Sequence, residues 1–374
     1  MSKGTVIYYG GFVLPCENAA ANRVRANGKI FCELGYRTVF LGTNYGEQNE
    51  LLHKLENYEN LYSQKQAESV SQWAKHLVST RNIDELIKKY PDTKAVVLYN
   101  MPFVTTVIFK NHLKNKGISL YYDCTEWTGF TEGSIVKKVF KKADEFFVSR
   151  FIHKVAQKVI CVSSTMKKAY GKKNTLVIPP LVDINDDIWH QPTVSHTGYE
   201  FLFAGVPDGN KERIDKVVSA FCTAEIKGAT LRIIGITKDD FSKIYPDCKI
   251  PKDKEKLITF MGRLSHKETI QYVRSADCYV FIRENDKRNN AGFPTKFAEC
   301  FTCNMGVIAT NVSDIPYYAE SNKKSIVLDN TRVAALSKAM EESVRKGVTQ
   351  TGDLNRTFHY EEYIEKVRAF IEIN

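Results

Sequence analysis

Val6-Ile7-Tyr8-Tyr9-Gly10-Gly11, then helically spaced apolar residues from Ala19 to Leu34 stopped by Gly35, then Arg37-Thr38-Val39-Phe40-Leu41-Gly42, is the stretch that decides the fold. It reads strand, glycine turn, helix, glycine, strand within about 40 residues, which is a β-α-β unit. Glycine is the usual helix stop because it has no Cβ to clash. Moving outward, a polar stretch from Glu47 to Tyr90 reads as helical. Ala95–Tyr99 and Ile118–Tyr122 read as strands around a helix from Thr105 to Lys114, and Lys158–Val162 and Thr175–Ile178 continue the series. Strands apolar on both faces suit a parallel sheet covered by helices.

Pro180 to His196 breaks the alternation with prolines and aspartates, so the domain boundary is expected there. The pattern then restarts. Strands are expected near Glu200–Gly205, Ala229–Ile234, Leu257–Phe260, Cys278–Ile282, Gly306–Ala309 and Ser325–Leu328. Helices are expected at Glu212–Thr223, Ser265–Arg274, Thr295–Cys303, Arg332–Arg345 and Phe358–Ile373. The expected architecture is α/β, with two doubly wound domains facing across a cleft. They span residues 1–190 and 197–355, with a C-terminal helical segment, 356–374, returning to the first domain.

The composition agrees with a globular chain. Of 374 residues, 43% are hydrophobic and 26% charged, enough to build a core. No run of about 18 apolar residues exists, and the N-terminus lacks a secretory layout. The formal charge of +10 is mostly lysine spread along the chain, which does not make a nucleic-acid footprint. The densest basic run is Val136-Lys137-Lys138-Val139-Phe140-Lys141-Lys142, with Phe146, Phe147 and Arg150 beyond. It reads as an amphipathic surface helix or as a peripheral contact with an anionic membrane. The nine cysteines are scattered and mostly in apolar settings, which fits buried thiols in a reducing compartment. Cys300 and Cys303 have no second pair at zinc spacing, and the histidines show no metal-ligand spacing.

Four places carry candidate chemistry. Gly10-Gly11 is either a tight strand–helix turn or a close-approach site for a bulky anion. Gly205-Val206-Pro207-Asp208-Gly209-Asn210-Lys211 puts a lysine near a helix start, which is unfavourable for the macrodipole unless an anion sits there; the plainer reading is an exposed loop lysine. In Ala291-Gly292-Phe293-Pro294-Thr295-Lys296-Phe297-Ala298-Glu299, which follows a stretch from Arg283 to Asn290 expected as a polar loop, Pro294 and Thr295 suit a helix start with Thr295 as cap. Lys296 there can meet phosphate, and Glu299 can accept from a ribose diol; the plainer reading is a Lys/Glu surface pair. Tyr121-Tyr122-Asp123-Cys124-Thr125-Glu126-Trp127 ends a strand with two carboxylates and an indole, suited to sugar hydroxyls and stacking or, for the indole, to packing.

Together these residues resemble glycosyltransferase family 4, the retaining nucleotide-sugar enzymes of the two-Rossmann-domain, GT-B type, and in particular a surface-polysaccharide subgroup with Pro-x-Lys ahead of the glutamate. The resemblance rests on Tyr9-Gly10-Gly11 with Asn22-Arg23-Val24, on Ile178-Pro179-Pro180-Leu181-Val182-Asp183, on Phe203-Ala204-Gly205 with Lys211, on Met261-Gly262-Arg263-Leu264-Ser265, and on Glu299. It departs from the family at Ala291, where a first glutamate is usual, and at Val206, where arginine is frequent.

The resemblance implies a retaining hexosyltransferase that uses a UDP- or GDP-sugar donor, with no further cofactor and no metal. The acceptor would be a glycan or a lipid-linked sugar in polysaccharide or glycoconjugate synthesis. It assigns Lys211, Lys296 and Glu126 to catalysis. Donor binding falls to Gly10, Gly11, Gly205, Gly262, Arg263, Gly292, Phe293, Pro294, Thr295 and Glu299. A cytoplasmic protein is expected, peripheral on the inner face of the membrane, with no nucleic-acid partner. An epimerase-like enzyme and an inactive membrane-bound scaffold are the alternatives.

Overall fold

A computed structural model describes residues 2–15, 18–44, 52–55, 59–127, 135–171, 173–206, 212–347 and 352–372. The chain forms two compact units, Met1–Leu181 with Tyr360–Asn374, and Val182–His359. It leaves the first unit earlier than the expected end at 190. The backbone explains this. Val182 N–H donates to Phe358 O at 2.9 Å, and Val182 bridges His359 in parallel, so the outgoing and returning segments pair at one place.

Among the described residues, the first unit holds an eight-stranded sheet in the order β3-β4-β2-β1-β5-β6-β7-β8. The strands are β1 (Thr5–Gly10), β2 (Arg37–Asn44), β3 (His53–Lys54), β4 (Leu61–Lys65), β5 (Thr93–Tyr99), β6 (Ser119–Cys124), β7 (Lys158–Cys161) and β8 (Thr175–Val177). All pairs are parallel except β3 with β4. The helices are α1 (Ala19–Glu33), α2 (Val70–Val78), α3 (Arg81–Lys89), α4 (Phe103–Lys114), α5 (Ile135–Val155) and α6 (Ser164–Tyr170).

Every residue of β1 is buried, as a central parallel strand requires. Asn18 starts α1 by accepting from Ala21 N–H at 2.9 Å. The expected continuous helix from Glu47 to Tyr90 is corrected. Leu61, Tyr62 and Ser63 are buried against β2, and this short apolar start is enough to make β4 a strand inside polar sequence.

Among the described residues, the second unit holds a six-stranded parallel sheet in the order β11-β10-β9-β12-β13-β14. Its strands are β9 (Tyr199–Ala204), β10 (Ala229–Ile234), β11 (Ile258–Phe260), β12 (Cys278–Phe281), β13 (Gly306–Thr310) and β14 (Ile326–Leu328). Its helices are α7 (Ile214–Thr223), α8 (Lys238–Ile244), α9 (His266–Val273), α10 (Lys287–Ala291), α11 (Thr295–Thr302), α12 (Ile315–Ala319) and α13 (Val333–Lys346). Phe201, Phe203, Val217, Phe221 and Met340 anchor its core.

The last helix, α14 (Ile364–Glu372), belongs to the first unit, where Val367 and Phe370 share a core with Val6, Ala21 and Ile30. Lys158 Nζ donates to Phe370 O at 2.8 Å, a cation on the carbonyls that end α14.

Candidate functional site

Open α/β sheets bind ligands outside the carboxyl ends of their strands, where the strand order reverses. In the second unit the reversal lies between β9 and β12. Three glycines knit the strand ends together there. Gly205 N–H donates to Ile234 O at 3.0 Å, Gly235 N–H to Gly262 O at 2.7 Å, and Gly262 N–H to Ile236 O at 3.1 Å. Gly235 has φ +114°, and a Cβ on it would lie 2.0 Å from Gly205 O. Gly262 has φ +67°, so both positions require glycine. Arg263 is exposed and, with Val206, Gly235, Ile236, Thr237 and Lys243, lines a cavity of about 510 Å³. Lys211 lies outside the described residues, and α7 begins at Ile214 rather than near Lys211.

The segment Gly292–Glu299 departs from expectation in detail. The N-cap of α11 is Pro294, with no side-chain cap; Thr295 is already the first helical residue. The N-terminal amides of α11 are therefore presented by backbone alone. Ser313 Oγ donates to Gly292 O at 2.5 Å and holds the turn. Phe293 is buried and packs on Phe297, Tyr318 and Phe358, so its side chain serves the core. The preceding stretch, expected as a loop, contains α10, capped by Asp286 accepting from Asn289 N–H at 2.8 Å. Ala291 ends that helix fully buried.

Glu299, one turn into α11, is 3% exposed. Its Oε2 accepts from Lys296 Nζ at 2.8 Å and its Oε1 pairs with His266 Nε2 at 3.1 Å. Burial would raise its carboxyl. The charge of Lys296 and the bond from His266 outweigh burial and hold it down at about 2. Burial likewise disfavours the Lys296 ammonium, and the neighbouring carboxylate more than restores it, so its pKa is raised.

His266 escaped the sequence reading. Ser265 and Glu268 form a capping box that fixes it at the start of α9. That spacing locates the helix start, but nothing local shows that the imidazole meets a carboxylate 33 positions away.

A second pair was also missed. Arg283 follows β12 and donates from Nη2 to Glu212 Oε1 at 2.9 Å. Tyr279, fully buried on β12, is within electrostatic reach of both pairs. Its hydroxyl donates to Ala204 O at 2.9 Å, and the charges of Glu212, Glu299 and Arg283 all act on it.

In the first unit, Gly10 is required by packing: a Cβ would lie 2.5 Å from Tyr99 O, whereas Gly11 is open and exposed. The reading of Asp123 as a free strand-end carboxylate is corrected. It is fully buried and accepts from Arg23 Nη2 at 2.6 Å, Tyr8 Oη at 2.6 Å and Asn27 Nδ2 at 3.1 Å. Trp127 is a packing residue whose Nε1 donates to Tyr170 Oη at 2.7 Å. Glu126 is half-buried just after β6. The structure thus brings Gly205, Gly262, Lys296 and Glu299 to one edge of the second sheet, while Gly10, Gly11 and Glu126 belong to the first.

Among the described residues no cluster of three or more His, Cys, Asp or Glu is arranged to hold a metal, and no helix is long and apolar enough to cross a membrane.

Residues 198–346 match the family model described as Glycosyl transferases group 1. This corrects the resemblance to family 4. The glycine edge and the helix-borne glutamate that suggested it belong to the matched segment, and that segment is assigned to group 1. None of the curated proteins matches the chain significantly.

Solved structures match over nearly the full length. Sucrose-phosphate synthase from Thermosynechococcus elongatus aligns at TM-score 0.70 and 12% identity, covering 98% of each chain. Anabaena HepE in complex with UDP-glucose aligns at 0.67 and 12%, covering 98% of this chain and 99% of that one. A glycosyltransferase from Rickettsia africae aligns at 0.67 and 13%, covering 100% of both. The chain has the GT-B architecture of two Rossmann-like α/β domains. It is an enzyme of the glycosyltransferase class.

Proposed function

We propose that this enzyme moves a hexosyl group from a nucleoside-diphosphate sugar, UDP- or GDP-linked, to a glycan or lipid-linked acceptor in polysaccharide or glycoconjugate synthesis. The observation that carries the reading is Glu299. It is a buried carboxylate kept ionised by Lys296 and His266, one turn behind an uncapped helix start at the strand-order reversal. An ionised carboxylate accepts two hydroxyl protons, as a ribose diol offers, and the amides of α11 favour an anion. HepE, of the same architecture, was solved with UDP-glucose.

In this reading the second unit holds the donor. Backbone at Gly262 and Arg263 meets the base and Glu299 the ribose. The α11 amides with Lys296 and Lys211 meet the diphosphate, whose charge grows as the glycosidic bond breaks. The acceptor oxygen forms the new bond to the anomeric carbon, and its proton passes to the departing diphosphate. Delivery from the diphosphate's own face keeps the anomeric configuration. The first unit, with Glu126, receives the acceptor.

The described part of α5 leaves Val139 63%, Phe146 47% and Phe147 42% exposed beside Lys138, Lys142 and Arg150, which supports a peripheral contact with an anionic membrane from the cytoplasmic side.

A calorimetric screen of UDP, GDP and their sugars tests the donor site. Glu299→Ala should weaken the nucleotide that binds by at least about tenfold, the worth of hydrogen bonds to a charged group. Unchanged affinity would refute the site. The anomer formed, read by NMR, tests retention.

A further inference from the structure

We infer that Arg283 is a phosphate-binding residue of this site and that Glu212 is the carboxylate a diphosphate must displace from it. The inference rests on the reading of the second unit as a nucleoside-diphosphate site.

The geometry carries it. Arg283 lies just past the end of β12 and Gly205 just past β9, the two strands between which the sheet order reverses. Arg283 is 8% exposed, and its main chain is pinned on both sides: Arg283 N–H donates to Thr310 Oγ1 at 2.9 Å, and that hydroxyl donates to Arg283 O at 2.7 Å. Cζ sits 4.5 Å from the centroid of the Phe281 ring. A guanidinium fixed this way is pre-organised for a planar, bidentate anion.

Glu212 meets only part of that capacity. Oε1 accepts from Arg283 Nη2 at 2.9 Å. Among the described residues Oε2 has no hydrogen-bond partner and is buried, and Arg283 Nε is buried without a partner as well. A buried, unpaired carboxylate oxygen and a buried, unpaired N–H are each costly. Their coexistence in one ion pair means the pair is not shaped for each other alone.

Oε2 is also placed where a ligand at this edge would approach: a Cβ on Gly205 would lie 2.4 Å from it, so glycine is what lets the carboxylate in. The Lys296 ammonium, on α11, feels the charge of Glu212 too. A diphosphate arriving between Gly205 and α11 therefore meets a carboxylate of its own sign, already bound to the arginine it needs. Exchange of the single Glu212 bond for phosphate oxygens satisfies Nη2 and Nε together and releases Glu212 toward solvent at the start of α7.

Titration calorimetry with sodium pyrophosphate and with UDP and GDP, at constant ionic strength, tests this on the full chain. Arg283→Gln should weaken pyrophosphate by at least about tenfold, and Glu212→Gln should tighten it by a similar factor. In the Arg283→Gln background, Glu212→Gln should change affinity less than about twofold, because the competition no longer exists. Glu212→Asp, which keeps the charge but shortens the reach, should also tighten binding and serves if the glutamine variant does not fold. Equal tightening in both backgrounds would show mere removal of a negative charge and overturn the inference. So would an Arg283→Gln chain that binds as the parent does. Wild-type binding of UDP or GDP that depends on Glu299 but on neither residue of this pair overturns the inference and leaves the donor site standing. Binding of none of the three probes by the wild type overturns both.

Discussion

Replacing Glu299 by glutamine removes one charge from a buried cluster and leaves its volume nearly unchanged. In the folded chain its carboxyl titrates at about 2, against an ordinary 4.5. At about 1.4 kcal/mol per pH unit, that gap corresponds to about 3 kcal/mol of folding stability at neutral pH. Lys296 keeps about a quarter of its side chain in water, with 27% exposed, so solvent recovers part of the loss. The expected destabilisation is about 2–3 kcal/mol at pH 7. For a unit of this size that is a fall in Tm of about 5–10 °C.

The sign with pH follows from a depressed folded pKa. The contribution is complete above about 4.5, declines as acid protonates the carboxyl between about 4.5 and about 2, and is gone below. Wild type and Glu299→Gln should therefore differ most at pH 6–7 and converge on acidification, followed by urea denaturation monitored in the second unit. Equal stability of the two chains at pH 7, or a difference that does not shrink in acid, would show that Lys296 and His266 do not hold this carboxylate ionised.

Asp123→Asn leaves the buried Arg23 guanidinium without its charge partner, and urea denaturation should register a loss of about 3–5 kcal/mol. Gly235→Ala puts a methyl 2.0 Å from Gly205 O at φ +114°. It should cost at least about 2–3 kcal/mol and disturb nucleotide binding in calorimetry while the first unit stays folded by limited proteolysis. Ser265→Ala removes the hydroxyl that accepts from Glu268 N–H in the α9 capping box and leaves only the bond from Ser265 N–H to Glu268 Oε2, a loss of about 1 kcal/mol by thermal melting that loosens the placement of His266.

Wherever burial alternates or persists along a short stretch, the fold is legible from residues. The wholly apolar β1, the Asn18-capped α1 and the restart of strands at β9 each follow from local chemistry repeated along the chain. The misreadings each have their own cause. Leu61-Tyr62-Ser63 is too short to announce a strand, and only β2 makes it one. The polar run before Ala291 looks like a loop because its helix is a single capped turn. Thr295 is a good capping residue, but Pro294 takes the cap position one step earlier.

At the candidate site, Glu299 and Lys296 were visible because they lie one helical turn apart, a distance that sequence spacing measures directly. His266, Glu212 and Arg283 were not, since each meets its partner across a loop of the sheet edge: His266 and Glu299 are 33 positions apart, Arg283 and Glu212 71. Asp123 shows the converse. Its strand-end position is readable in sequence, but only the packed unit brings Arg23, from 100 positions earlier, to neutralise it. The alternation of elements and the residues able to bear charge are written in the order of the amino acids. Packing sets which charges neutralise each other and which face the edge of the sheet, because a charge's role depends on its neighbours within a few ångströms and not on its neighbours along the chain.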